Sequence, residues 1–154
     1  MLKNFSLKPF IAIRYIILKS LIKECGDNVR IGCNVTIVHW HELSLGSNIS
    51  IHDNCYIDGA GSLIIKNNVS IAHNSSILTT NHSWQDKLIP IKYNAVTLQK
   101  VIINDDVWVG CACRILAGVE IGSRSVIASG AVVNKNVLSN SIYAGVPAKF
   151  IKQI

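Results

Sequence analysis

The sequence predicts an all-β chain wound as a parallel β-helix of six-residue repeats, with a short helix before it and one loop protruding from it. Three observations predict this. Aliphatic residues recur every six positions without exception at Ile103, Val109, Ile115, Ile121, Ile127 and Val133, and shorter runs of the same step link Ile31 to Ile37, Ile51 to Ile57, and Ile65 to Ile71 and Ile77. Two positions before these anchors stand small or apolar partners: Val107, Cys113, Val119, Ser125 and Ala131 downstream, Val29, Val35, Ile49, Cys55, Val69 and Ser75 upstream. Three positions before the upstream anchors comes Asn, at Asn28, Asn34, Asn48, Asn54, Asn68 and Asn74. Asn tolerates the left-handed backbone of a tight corner better than most residues.

A unit of corner, small inward residue and large inward residue is one short strand and one turn. Three units close a triangular coil of about 18 residues, and successive coils hydrogen-bond at ~4.8 Å. An ordinary sheet alternates over a few residues and then restarts in a new phase, whereas here one phase runs from Ile103 to Val133. The composition agrees. Hydrophobic types are 49% and charged types 16%, which excludes disorder, and aromatics are only 6%, so Ile, Val and Leu must fill the core.

In chain order, residues 1–24 form an N-terminal helical segment, with a helix from Phe10 to Glu24 whose apolar residues cover a broad face. Lys3 and Lys8 before Phe10-Ile11-Ala12-Ile13 imitate a signal peptide, but Arg14 and Lys19 interrupt the apolar stretch and no small-residue cleavage site follows. Ile11, Ile13, Ile16, Ile17, Leu18, Leu21 and Ile22 either cap the open end of the solenoid or, with Lys19 and Lys23, rest on an anionic membrane surface. Capping is preferred, because every solenoid needs an end cap. Residues 25–150 form the repeat domain. Its phase slips by two residues between Ile37 and Leu45 and again around Gly59-Ala60-Gly61, and breaks fully between Ile77 and Ile103. That break holds the loop 79–100, with His82, Trp84, Asp86, Pro90 and Tyr93, and a long loop in a regular solenoid is usually functional. The phase relaxes after Val133, and 151–154 make a short tail.

The charge balance of +6 suits an anionic ligand or surface. The basic residues are scattered from Lys3 to Lys152 with no dense run, which argues against nucleic acid. The five cysteines, Cys25, Cys33, Cys55, Cys111 and Cys113, are odd in number and lack CxxC pairing, so they read as reduced thiols of a cytosolic protein.

Asn54-Cys55, Thr79-Thr80-Asn81-His82, Asp106-Val107-Trp108-Val109-Gly110 and Ala144-Gly145-Val146-Pro147-Ala148-Lys149 together resemble the hexapeptide-repeat acyltransferases. The likeness is nearest to the maltose and galactoside O-acetyltransferases and to enzymes that O-acetylate bacterial surface polysaccharides, and it runs from about Cys25 to the C-terminus. The resemblance implies a left-handed β-helix, a homotrimer with active sites between subunits, acetyl-CoA as co-substrate and a sugar hydroxyl as acceptor. It gives His82 the role of general base. The chemistry is coherent, since a hydroxyl attacking a thioester must lose its proton and an imidazole, ordinarily titrating near ~6.5, takes protons at neutral pH.

Where the family has an acceptor-site asparagine, one position after the inward Ile51, this chain has His52. His52 contacts the acceptor, meets His82 across the subunit groove, or faces solvent. Asp58 hydrogen-bonds sugar hydroxyls or is a solvated corner carboxylate, and Trp84 stands with these two on the acceptor side. The family's acetyl-CoA contacts fall on Trp108, Gly110, Cys111, Ser129, Asn134, Lys135, Lys149 and Lys152: an aromatic cover for the pantetheine arm, a glycine allowing close approach, and lysines facing phosphates. A zinc site of histidines, found in a hydratase on this fold, is not expected. His39-x-His41 lacks a partner and reads with Trp40 as a bulged corner. The resemblance thus points to a cytosolic O-acetyltransferase of saccharides or surface-polysaccharide precursors, with peripheral contact at the inner membrane face an open extension. N-acetylation of an amino sugar and a non-catalytic scaffold are the alternatives.

Overall fold

The structure, a computed structural model, describes residues 7–154, so the charge at Lys3 lies outside the described residues. Each coil lays one short strand on each of three faces. The first face carries Glu24–Cys25, Leu43–Leu45, Leu63–Ile65, Val101–Ile103 and Glu120–Ile121. The second carries Val29–Ile31, Ile49–Ile51, Ser70–Ile71, Val107–Val109, Ser125–Ile127 and Ser141–Ala144, and the third Thr36–Val38, Tyr56–Asp58, Ser76–Ile77, Arg114–Ile115 and Val132–Val133.

Pairing between coils is parallel and in register with the repeat. Ile31, Ile51, Ile71, Val109 and Ile127 stand over one another on the second face. Ile37, Ile57, Ile77, Ile115 and Val133 do so on the third. Their side chains fill the prism; Ile57, Ile71, Ile77, Ile103, Ile115, Ile121 and Ile127 are fully buried, and the small partners Cys113, Ser75 and Ala131 are buried beside them.

The corners carry the strain the repeat predicts. All six repeat asparagines sit at φ between 52° and 60°. Their side chains also form ladders between coils: Asn28 Nδ2 donates to Asn48 Oδ1 (2.9 Å), Asn48 to Asn68 (3.1 Å) and Asn34 to Asn54 (2.9 Å). These partners lie 20 residues apart, the 18 of a plain coil plus the two-residue slips. Above the loop the spacing tightens, with Trp108 opposite Val126.

Three boundaries differ from the sequence reading. The helix, α1, spans Lys8–Leu21 rather than Phe10–Glu24. It stops early because the open edge of the first face captures the chain: Lys23 N–H donates to Leu43 O and Glu24–Cys25 pairs with Ser44–Leu45. The helix covers the first coil. Leu18 and Ile22 enter the core, Arg14 Nε donates to Ile31 O (2.9 Å) and Tyr15 OH to Gly26 O (3.0 Å). Lys19 is taken up by Asp27 at 3.1 Å, while Ile16 and Ile17 face outward. The second difference is at the loop, whose stem is an antiparallel strand pair, Thr80–His82 with Val96–Leu98. The third is at the C-terminus, where residues from the predicted tail join the strand Lys149–Gln153, which turns back against Ser141–Ala144 and closes that edge of the second face. No helix among the described residues is long and apolar enough to cross a membrane.

Candidate active site

The chemistry-bearing residues gather on two edges of the prism. On the edge between the third and first faces, the first coil turns through His39, at φ 53°, and the single helical turn Trp40–Glu42. The second coil turns there through Gly59-Ala60-Gly61, and the third sends out the hairpin. These layers touch closely. A side chain at Gly59 would meet His39 O at 2.6 Å, and one at Gly61 would run into the backbone of Thr79 and, at 2.7 Å, of Gln99, which is why both positions are glycine.

Asp58 ties the layers together. Its carboxylate is neither solvated nor turned to the surface for a ligand, in contrast to both sequence expectations: the residue is 4% exposed. Oδ1 accepts from Ala60 N–H at 3.1 Å and from His39 Nδ1 at 2.9 Å, and Oδ2 accepts from Thr80 Oγ1 at 3.0 Å. Thr79 Oγ1 adds a bond to Asp58 O, also 3.0 Å. Burial works to raise the Asp58 pKa, but these donors overrule it and hold the carboxyl below its ordinary value. A carboxylate so enclosed stays charged and braces the root of the hairpin.

His82 ends the hairpin's first strand, opposite Val96, with its side chain exposed. Two residues on, Trp84 is 69% exposed. The tip is held by the buried Asn94, whose Oδ1 accepts from Asp86 N–H (3.0 Å) and whose Nδ2 donates to Asp86 O (3.2 Å). The hairpin is thus braced at root and tip, and it presents His82 between them.

The other edge, between the second and third faces, carries the exposed His52 and Ser129 and the half-buried Cys111. Gly110 lies there too. A Cβ at Gly110 would sit 2.6 Å from Ser129 N and 2.8 Å from Ile127 O, so coil stacking demands the glycine. Its carbonyl accepts the Ser75 hydroxyl at 3.0 Å. Burial pushes the thiols of Cys55 and Cys113 up, which keeps them protonated, as packing groups.

Trp108 points outward from the second face, half exposed, over a recess of about 360 Å³ lined by Ser70, Arg124, Val126 and Ile154. Lys149 and Lys152 stand exposed on the returning strand at the end of that face, and Asn134 and Lys135 are exposed just beyond the last strand of the third face, on the His82 edge. One chain therefore brings Asn134 and Lys135 to the His82 edge and holds His52, Cys111 and Ser129 on the other, a face-width of about 13 Å away at ~3.3 Å per residue. Among the described residues no three His, Cys, Asp or Glu side chains gather as metal ligands do. Two residues escaped sequence reasoning, His39 as the partner of Asp58 and Thr80 as its second donor. The 20-residue period held the signal, since it sets Val38 opposite Asp58 and hence His39 next to it.

Comparison with known proteins accounts for this architecture. A model of the bacterial transferase hexapeptide family (six repeats) matches residues 100–135. A Saccharomyces cerevisiae protein named as an acetyltransferase is 32% identical over 140 residues, 90% of this chain and 69% of the other. The crystal structure of a maltose O-acetyltransferase from Clostridium difficile 630 superposes with a TM-score of 0.88 at 28% identity, covering 99% of this chain and 81% of that one. A hexapeptide-repeat acetyltransferase from Vibrio cholerae, solved with acetyl coenzyme A, gives 0.87 at 27% identity, covering 99% and 82%. The chain belongs to the hexapeptide-repeat transferases, and its solenoid is a left-handed parallel β-helix. Within that family it is an acyltransferase.

Proposed function

We propose that this chain transfers an acetyl group from acetyl-CoA to a hydroxyl of a saccharide, with His82 as general base. The observation that carries the reading is the braced hairpin, which holds an exposed imidazole off the prism edge on a stem fixed by Asp58 and Asn94. In the reaction the acceptor oxygen forms its bond to the acetyl carbon while His82 accepts the hydroxyl proton. The carbon–sulfur bond breaks with its electron pair going to sulfur, and that proton ends on the departing CoA thiol.

The chain's own residues suit a long anionic co-substrate. Trp108 offers an aromatic face beside a recess, where Arg124 is paired with Asp106 at 3.7 Å, and Lys149 and Lys152 add positive charge at the end of the same face. Because one chain separates the His82 edge from the edge holding His52, Cys111 and Ser129, a cleft using both needs two copies. This supports a homotrimer with the acceptor and co-substrate held between neighbours, and His52 approaching the acceptor from the second chain. Use of acetyl-CoA as co-substrate supports a cytosolic enzyme, and a surface-polysaccharide precursor is an acceptor consistent with this reading.

The test is transfer of radiolabel from acetyl-CoA to a glycan array containing matched hydroxyl and amino forms of each sugar, alongside calorimetric titration with CoA. The reading expects CoA binding and label in hydroxyl sugars. Label confined to amino sugars overturns it in favour of N-acetylation, and no CoA binding in favour of a scaffold.

A further inference from the structure

The first coil's corner has no part in the transfer chemistry as derived, yet it is unusually built. His39 holds a left-handed backbone, and a buried carboxylate fixes its ring through Nδ1. Asp58 being the acceptor, Nδ1 donates to it and Nε2 is turned away from the carboxylate on a half-exposed ring. The neighbouring side chains are of the same kind. Trp40 is 38% exposed, and His41 meets His39 edge to face at 6.4 Å between ring centroids. A protein with 6% aromatic residues has here three consecutive planar side chains at one corner, none of them buried.

Their placement gives them a use. The corner lies on the His82 edge, two coils below the root of the hairpin, about 9.6 Å at ~4.8 Å per coil. Asp58 binds His39 with one oxygen and Thr80 with the other, so corner and hairpin are mechanically one unit. At Gly59 and Gly61 between them the backbones of successive coils pack directly on one another, so corner and hairpin root are joined without an intervening side chain at either glycine. An exposed indole stacks on the apolar face of a pyranose, and a fixed imidazole nitrogen hydrogen-bonds a sugar hydroxyl, which can donate or accept.

We infer that the corner His39-Trp40-His41 is a saccharide subsite, which binds a neighbouring sugar of an oligosaccharide whose acceptor sugar lies at His82. The inference rests on the reading of the chain as a saccharide acetyltransferase and adds to it that the natural acceptor is longer than one sugar. Asp58 serves it as a positioning residue, since it orients His39 and touches no ligand itself.

The experiment uses the full chain and the same array of mono-, di- and trisaccharides with radiolabelled acetyl-CoA. For a series that the wild type acetylates, KM and kcat are measured for the monosaccharide and for the trisaccharide ending in the same acceptor sugar, in wild type, Trp40→Ala and Trp40→Phe. The expected result is a rise of at least fivefold in the ratio of trisaccharide KM to monosaccharide KM in Trp40→Ala. Trp40→Phe, which keeps an aromatic face, should restore most of the loss, whereas a merely structural Trp40 would shift both acceptors together. An unchanged ratio overturns the subsite and leaves the acetyltransferase reading standing. Failure of the wild type to acetylate any sugar on the array overturns that reading, and the subsite with it. If Trp40→Ala does not fold, Trp40→Phe and Trp40→Leu decide, with only the leucine variant expected to change the ratio.

Discussion

The stacked coils and the hairpin that leaves them grow from the same edge by opposite rules. In an inner coil the inward residues have their like above and below: Ile57 lies between Ile37 and Ile77 and is wholly buried. In the hairpin each strand has a single partner, and the stem residues Val96 and Leu98 are 50% and 61% exposed. Coil positions are over-determined by packing, so sequence change there is paid in stability. The hairpin is fixed at a few points only, and its outward side chains are left for chemistry.

The sharpest way to break this contrast is to cross the two regions. His82→Ala should lower kcat by about 10²–10⁴, roughly 3–5 kcal/mol of barrier, with the thermal midpoint and CoA affinity unmoved. Ile57→Ala should do the reverse, costing ~2–5 kcal/mol of stability through a cavity in the prism while folded enzyme turns over normally below its midpoint. Steady-state kinetics and thermal melts on both variants decide. Wild-type turnover in His82→Ala would remove that histidine from the reaction.

Asp58 stands where the regions meet, and its replacement should disturb both. The native environment holds this carboxyl below its ordinary value, so it contributes stability above the unfolded pKa of about 3.9, and that contribution is lost as pH falls through the native value. Asp58→Asn should therefore be less stable than wild type by about 1–3 kcal/mol near neutral pH, and the gap should close as pH drops below about 4. Urea midpoints taken from pH 7 down to pH 3 measure it. A gap independent of pH would mean that charge on Asp58 does not brace the hairpin. Its turnover should also fall, because the root of the strand carrying His82 loses its anchor at Thr80.

This contrast also explains what could be read from the chain alone. The prism was legible almost residue by residue, because a repeating environment writes a repeating sequence: each in-phase aliphatic and each corner asparagine stands where the six-residue step puts it. The hairpin stem was not legible. Val96-Thr97-Leu98 alternates weakly, and its pairing with Thr80-Asn81-His82 follows from the loop's return geometry. Asp58 shows the other failure. Its local context suits a ligand, yet its carboxylate is consumed by His39, Ala60 and Thr80. The signal lay in the stacking partner 18 or 20 residues away. The helix end was misjudged for a similar reason, since Lys23 and Glu24 are good helix formers taken by a strand edge.

The smallest predicted effect separates the two halves of the prism on either side of the hairpin. Below it the edge between the second and third faces turns at Asn34, Asn54 and Asn74; above it the same edge turns at Ala112 and Gly130. All of these hold positive φ, Ala112 at 56°. Alanine in that region suffers the clash of Cβ with the following carbonyl, about 1–2 kcal/mol, which asparagine partly offsets by local hydrogen bonding. Asn54 has a second role, accepting the Asn34 side chain at 2.9 Å. Asn54→Ala should therefore cost about 1–2 kcal/mol, and Ala112→Asn, exposed at its corner, should gain about 0.5–1 kcal/mol. At about 2–4 °C per kcal/mol for a chain of this size, differential scanning calorimetry should show the first midpoint falling and the second rising. Two falls would mean that the upper coils have tuned their corners to alanine by contacts the backbone strain does not describe, and opposite signs would mean that one steric rule governs both halves of the solenoid.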